Sequence, residues 1–148
     1  MIIFAKNFKM KKLFLTLLFF AIALISNAQI ENILGEWRTV NDKTGETEAV
    51  MLFYKGDNGL YYAKTTRVFE KGKELFDPEY IGMILVKDFR LEDGQLVGGT
   101  LYEPHEDKTY YGKISYNAKD NTLIVRGSLD RYGWLGRSQT PGTAAKGP

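Results

Sequence analysis

Arg126-Gly127-Ser128-Leu129-Asp130-Arg131-Tyr132-Gly133-Trp134-Leu135-Gly136-Arg137-Ser138-Gln139-Thr140 is the stretch that decides the fold of this chain. A strand leads in through Leu123 and Val125, a glycine-flanked aromatic corner follows at Trp134, and a short run from Gly136 to Thr140 leads out. This is the pattern of the closing corner of a small β-barrel. Its partner is expected near the start of the folded part, at Gly35-Glu36-Trp37.

Between these two points the chain alternates short apolar-rich runs with turn formers at regular spacing, the mark of an all-β barrel or sandwich. Eight strands are expected: Ile33 to Val40, Glu48 to Lys55, Leu60 to Phe69, Tyr80 to Phe89, Gln95 to Tyr102, Lys108 to Tyr116, Thr122 to Leu129 and Gly136 to Thr140. Asn58-Gly59 and Asp93-Gly94 are tight turns, because these residues tolerate the positive φ that hairpins need. Gly98-Gly99 inside a strand predicts a bulge or a sharp bend. Glu103 to Asp107 is a hairpin loop, and Glu70 to Pro78 is a charged connection, the part of the chain whose pattern says least. Short connections make sequential neighbours pair, so the fold class is an all-β, antiparallel meander of about eight strands. Such a barrel is just wide enough to be filled or to hold one small ligand.

The 148 residues suggest one domain. Residues 1–28 stand apart from it. Lys9, Lys11 and Lys12 precede an apolar run from Leu13 to Ile25, and Ser26-Asn27-Ala28 is a small-x-small cleavage site. This reads as a secretory signal peptide cut between Ala28 and Gln29, with Met10 a better start for it than Met1. The apolar run is shorter than a membrane span of roughly 20 residues. The barrel is expected over residues 29–140, and residues 141–148 have the composition of a disordered tail.

Taking the four leader lysines, Lys6, Lys9, Lys11 and Lys12, from a formal charge of +2 leaves about −2 for the remainder. The basic character of the whole chain therefore belongs to the leader, and nucleic acid is not an expected partner. There is no cysteine. Disulfides, thiolate metal sites and a Cys nucleophile are excluded, so the core alone must hold the fold.

Several positions together resemble the bacterial envelope family of unknown function DUF2147. They are Gly35-x-Trp37, Gly98-Gly99 followed by Glu103-Pro104, Lys108-Thr109-Tyr110, Val125-Arg126-Gly127, and Gly136-Arg137-Ser138-Gln139-Thr140. The resemblance implies a lipocalin-like barrel exported from a bacterium, with no assigned activity. Pro141 is a departure from the family pattern, which continues its last strand past Gln-Thr. A proline removes a ladder donor, so the closing strand is expected to stop at Thr140.

The candidate ligand-binding residues are Trp37, Tyr62, Tyr110, Arg126 and Arg137. Trp37 and Arg137 read first as a cation–indole plug at one barrel end, as lipocalins pair a Trp near the first strand with an Arg near the last; a ligand role is the alternative. Arg126 alternates out of phase with Leu123, Val125 and Leu129 and so faces solvent. A bulge at Gly127 would turn it inward, where an Arg suits a carboxylate or phosphate. Tyr54, Tyr62, Tyr102, Tyr110 and Tyr116 fall at strand positions and either line a cavity for an apolar or sugar-like ligand or simply fill the core.

His105 is the single histidine, in an acidic loop, which is too little for a metal site. No nucleophile elbow, phosphate loop or histidine pair is present, so no catalytic residue, metal or cofactor is expected. The first reading is a periplasmic or secreted, non-catalytic binding module for a small apolar or amphipathic envelope molecule. The alternative is a structural or interaction protein of the cell envelope with a filled barrel and an envelope protein partner. The mature chain is expected to have no membrane span.

Overall fold

A computed structural model of the protein describes residues 30–41, 43–129 and 144–146. Residues 30–33 form one helical turn. Nine strands follow among the described residues: β1 Gly35–Val40, β2 Thr47–Lys55, β3 Tyr61–Glu70, β4 Lys73–Leu75, β5 Ile84–Glu92, β6 Gln95–Glu103, β7 Lys108–Asn117, β8 Thr122–Ser128 and β9 Ala144–Lys146. All pairings are antiparallel, and apart from β4 and β5, neighbours in the chain are neighbours in the sheet. The sheet runs β2-β1-β9-β8-β7-β6-β5-β3 and returns through a further β2–β3 pairing, so eight strands form a ring. β4 is the ninth, folded back on the end of β3. The expected all-β, antiparallel barrel of about eight strands is therefore present.

The turns are those that the residue types dictate. Gly59 has φ +81°, and Asp93 and Gly94 have φ +50° and +74°. Asn58 fixes the first turn further by accepting the Leu60 N–H on its side chain at 3.0 Å. Gly98, with φ +75°, sits where the β6–β7 register shifts between Val97 and Gly99, which is the expected bulge.

Four expectations need correction. Ile33 is not in the first strand; it ends the helical turn, which Leu34 N–H closes on the Ile30 carbonyl at 3.0 Å. The charged connection contains β4, pinned to β3 by a two-oxygen clamp from Glu74 onto Arg67. The strand expected from Tyr80 starts only at Ile84. Asp77 holds residues 77–83 in turns, its carbonyl accepting from Ile81 and its carboxylate from Glu79, as aspartate does when it mimics a backbone turn. The seam beside β1 is taken by β9, from within the segment expected to be a tail, pairing Trp37 with Lys146 and Leu123 with Ala144. The closing strand expected at Gly136 to Thr140, with Trp134 and Arg137, lies outside the described residues.

The core is the inside of the ring. Trp37, Phe89, Ile33, Leu96 and Ile114 are its largest fully buried side chains. Ile30 of the helical turn joins them, with Met51, Phe53, Tyr61, Ala63, Val86 and Leu123 from the strands. Burial of side chains of this size stabilises by roughly 1.5–3 kcal/mol each.

Candidate functional site

The interior has two unlike ends. At the end where β1 begins, the helical turn lies across the opening. Gly35 has φ +110°, a conformation open to glycine, and it lets the chain leave the turn and enter β1 directly. That reversal brings Trp37 back beneath Ile33, and the indole N–H donates to the Ile33 carbonyl at 2.7 Å. Tyr116 packs edge-on against the indole at 6.3 Å. Ile30, Ile33 and Trp37 are 6%, 0% and 0% exposed, so this end is sealed.

The middle is shaped by a glycine row. Gly99 of β6 pairs with Gly112 of β7, which pairs with Gly127 of β8. Side chains here would point into the ring. A Cβ on Gly112 would lie 2.6 Å from Phe89 Cζ and 2.7 Å from Leu101 Cγ, and one on Gly99 would collide with Phe89 and the Lys87 carbonyl. Phe89 thus occupies the space that two neighbouring strands leave free. At Gly127 the nearest atoms belong to Tyr110, at 3.4 and 3.6 Å, which is ordinary contact.

The far end carries the β6–β7 loop. Tyr110 is half-buried on the inner face, beside Leu101, its register partner in β6. Its hydroxyl donates to the Glu106 carboxylate at 3.1 Å, and Tyr102 donates to Asp107 at 3.0 Å. Burial and the Glu106 carboxylate hold the Tyr110 phenol above its usual pKa. For Tyr102 the bond to Asp107 is the main cause of a shift in the same direction. Both phenols are therefore neutral donors near pH 7. His105 lies beside the Tyr80 ring, with centroids 6.1 Å apart. This end is a polar rim over half-buried aromatic and aliphatic side chains, an arrangement suited to holding a molecule with an apolar body and a polar head. Among the described residues no three His, Cys, Asp or Glu side chains are placed to hold a metal ion.

The sequence-predicted residues scatter over this frame. Trp37 is in the sealed end and Tyr110 in the far end. Tyr62 is on the outer face: it stacks on Tyr54 at 5.7 Å, accepts from Asn58 at 2.7 Å and donates to Asp88 at 2.9 Å. Arg126 is exposed on β8 and pairs in register with Lys113; no shift occurs at Gly127, so it faces outward. Arg137, Ala28 and Gln29 lie outside the described residues. Sequence reasoning missed Phe89 and the glycine row. The signal for the row was present, since Gly112 and Gly127 are glycines inside strands with no turn beside them.

The family described as "Uncharacterized protein conserved in bacteria (DUF2147)" matches residues 35–141. Among solved structures, protein HP1028 from the human pathogen Helicobacter pylori, described as belonging to the lipocalin family, is similar at 18% identity. The alignment covers 78% of this chain and 82% of that one, with a TM-score of 0.57, a likeness of fold. No curated protein matches the chain. With the glycine-led entrance to β1, the Gly98 bulge and a family match over most of its length, the chain belongs to the DUF2147 family.

Proposed function

We propose that this protein is an exported, non-catalytic binding module that holds a small apolar or amphipathic molecule of the bacterial envelope in its barrel. The observation that carries the reading is the asymmetry of the interior: Trp37 seals one end, while Tyr110 and Leu101 stand half-buried beneath a polar rim at the other. Barrels of about eight strands are wide enough for one small ligand, and the lipocalin-like fold supports the same use. The leader at residues 1–28 supports export to the periplasm or beyond.

Native mass spectrometry of the protein drawn from its own cells tests the reading. A co-purifying small molecule lost on Tyr110→Asp supports it. An empty protein that takes up no hydrophobic fluorescent probe overturns it. N-terminal mass analysis tests export: a chain beginning at Gln29 is expected, and retention of Met1 or Met10 in the secreted fraction overturns that part.

A second reading has its own observation. Phe89 fills the space over Gly99 and Gly112, and Phe76, beyond β4, is 86% exposed. A filled barrel that uses its outer surface to contact an envelope protein fits these two facts. Probe binding separates the two readings.

A further inference from the structure

A different surface carries a further site, on the outside of the barrel. Arg90 of β5 is in register with Val97 of β6, Val97 with Lys113 of β7, and Lys113 with Arg126 of β8. Three cations therefore lie in one row across four strands, all exposed. Lys113 and Arg126 are direct cross-strand partners, and like charges directly opposite destabilise a sheet. In a remainder with a net charge near −2, the row is a local concentration of positive charge in which, among the described residues, Arg90 is paired with Glu92 at 3.1 Å and Lys113 and Arg126 have no ion pair.

Beside the row is a hollow of about 440 Å³ lined by Arg90, Gly98, Tyr111 and Gly112. The bulge at Gly98 makes it. The bulge leaves Gly98 outside the β6–β7 register, and the extra residue of a bulge has backbone groups free of the ladder. The Arg90 guanidinium lies over Gly98, in the space a side chain would take. Tyr111 is 41% exposed and offers an aromatic wall with a hydroxyl at its tip. A volume of this order is within the range of small-molecule sites.

We propose that this hollow binds an acidic sugar. The ring would lie against Tyr111, beside the backbone of Gly98 and Gly112 that lines the hollow as its floor. The anionic group would be taken by Arg90 and Lys113, with Arg126 extending the same field along the row. A simple anion uses only the cations. A neutral sugar uses only the floor and the wall. An acidic sugar uses both, and it also relieves the Lys113–Arg126 repulsion. The site is separate from the barrel interior, and its test does not depend on what the interior holds.

The test titrates the isotope-labelled full-length protein with tetragalacturonate, galacturonate, cellotetraose and inorganic phosphate, reading backbone amide shifts. Tetragalacturonate is expected to move the Gly98 and Gly112 amides saturably, cellotetraose to leave them in place, and phosphate to bind more weakly. A galacturonate monomer that binds as well as the tetramer identifies a free sugar as the ligand; a preference for the tetramer identifies a stretch of acidic polysaccharide. Arg90→Gln, Lys113→Gln and Tyr111→Ala should each weaken binding on the order of tenfold, since charge-assisted hydrogen bonds and aromatic contacts of this kind are worth that factor or more. Lys64→Gln on β3 should leave binding unchanged. Lys113 and Arg126 are exposed, so their variants keep the test open if Arg90→Gln does not fold. Absence of shifts at Gly98 and Gly112, phosphate binding as tight as tetragalacturonate, or full affinity in the Lys113→Gln, Arg126→Gln double variant would each overturn the proposal.

Discussion

At one end of the barrel Ile33 and Trp37 have no solvent contact, whereas at the other Tyr110 and Leu101 are half-buried and Phe76 stands 86% exposed. Both ends draw on aromatic residues, but they use them differently. The indole N–H of Trp37 is satisfied internally by the Ile33 carbonyl, so the sealed end needs no outside partner for it. Tyr110 and Tyr102 point their hydroxyls at acids of an exposed loop, which keeps the far end wet at its edge. The difference separates a structural use of aromatic side chains from one that leaves surface to offer.

Truncation should separate the ends most clearly. Trp37→Ala removes a fully buried side chain and leaves a cavity, and about 3–5 kcal/mol of stability should be lost in urea denaturation. Tyr110→Ala should cost visibly less in the same measurement, because its site is already partly open. Equal losses would mean that the far end is as tightly built as the sealed one, and the comparison would fail.

The glycine row sharpens the comparison at mid-barrel. Gly99→Ala drives a Cβ into Phe89 and the backbone of β5, and overpacking of this kind costs roughly 1–3 kcal/mol. Gly127→Ala meets Tyr110 only at 3.4 Å and should change the denaturation midpoint little. A large effect at Gly127 would show that space toward the far end is as fully used as space beside Phe89.

Binding should follow the same division. Tyr110→Asp places a charge on the inner face, where it is costly to bury, and should weaken uptake of a hydrophobic fluorescent probe on the order of tenfold. Tyr62→Asp places one on the outer face and should leave uptake unchanged. Loss of uptake in both variants would mean that the probe reports general unfolding.

Much of the fold was legible because its turns are chemical. Asn58-Gly59, Asp93-Gly94 and the Gly98 bulge adopt positive φ where their residue types allow it, and these points fix most strand limits. The inner face was less legible. Tyr61-Tyr62 and Tyr110-Tyr111 put the same residue on both faces of a strand, so alternation alone does not say which tyrosine is inside. Register shifts at Val50/Met51 and around Ala63 change the phase again. Tyr110 lies on the inner face, two alternations along β7 from Ile114, whereas Tyr62 lies outside because Tyr61 and Ala63 take the interior of β3. β9 was hidden by composition: Ala144-Ala145-Lys146 has no β-branched or aromatic residue and pairs only through what β1 and β8 present.

The smallest expected effect concerns β4, at the rim of the far end. Glu74 grips Arg67 through both oxygens, at 2.8 and 2.6 Å, and the guanidinium also lies over the Phe69 ring at 5.1 Å. The hydrogen bond from Arg67 holds the Glu74 carboxyl below its ordinary pKa. A carboxyl whose folded pKa is depressed stabilises the paired state above its ordinary pKa, and that contribution disappears as pH falls through the lower, folded value. Both side chains are about half exposed, so the pair is screened by solvent and weak. It should not move the global denaturation midpoint. Hydrogen exchange at the β4 amides should nonetheless speed up, relative to β7, as the solution is acidified below the carboxylate range. Glu74→Gln should show the faster exchange already at neutral pH and lose the acid dependence. An acid response in β4 that survives Glu74→Gln would place its cause elsewhere and leave β4 held by its ladder to β3 alone.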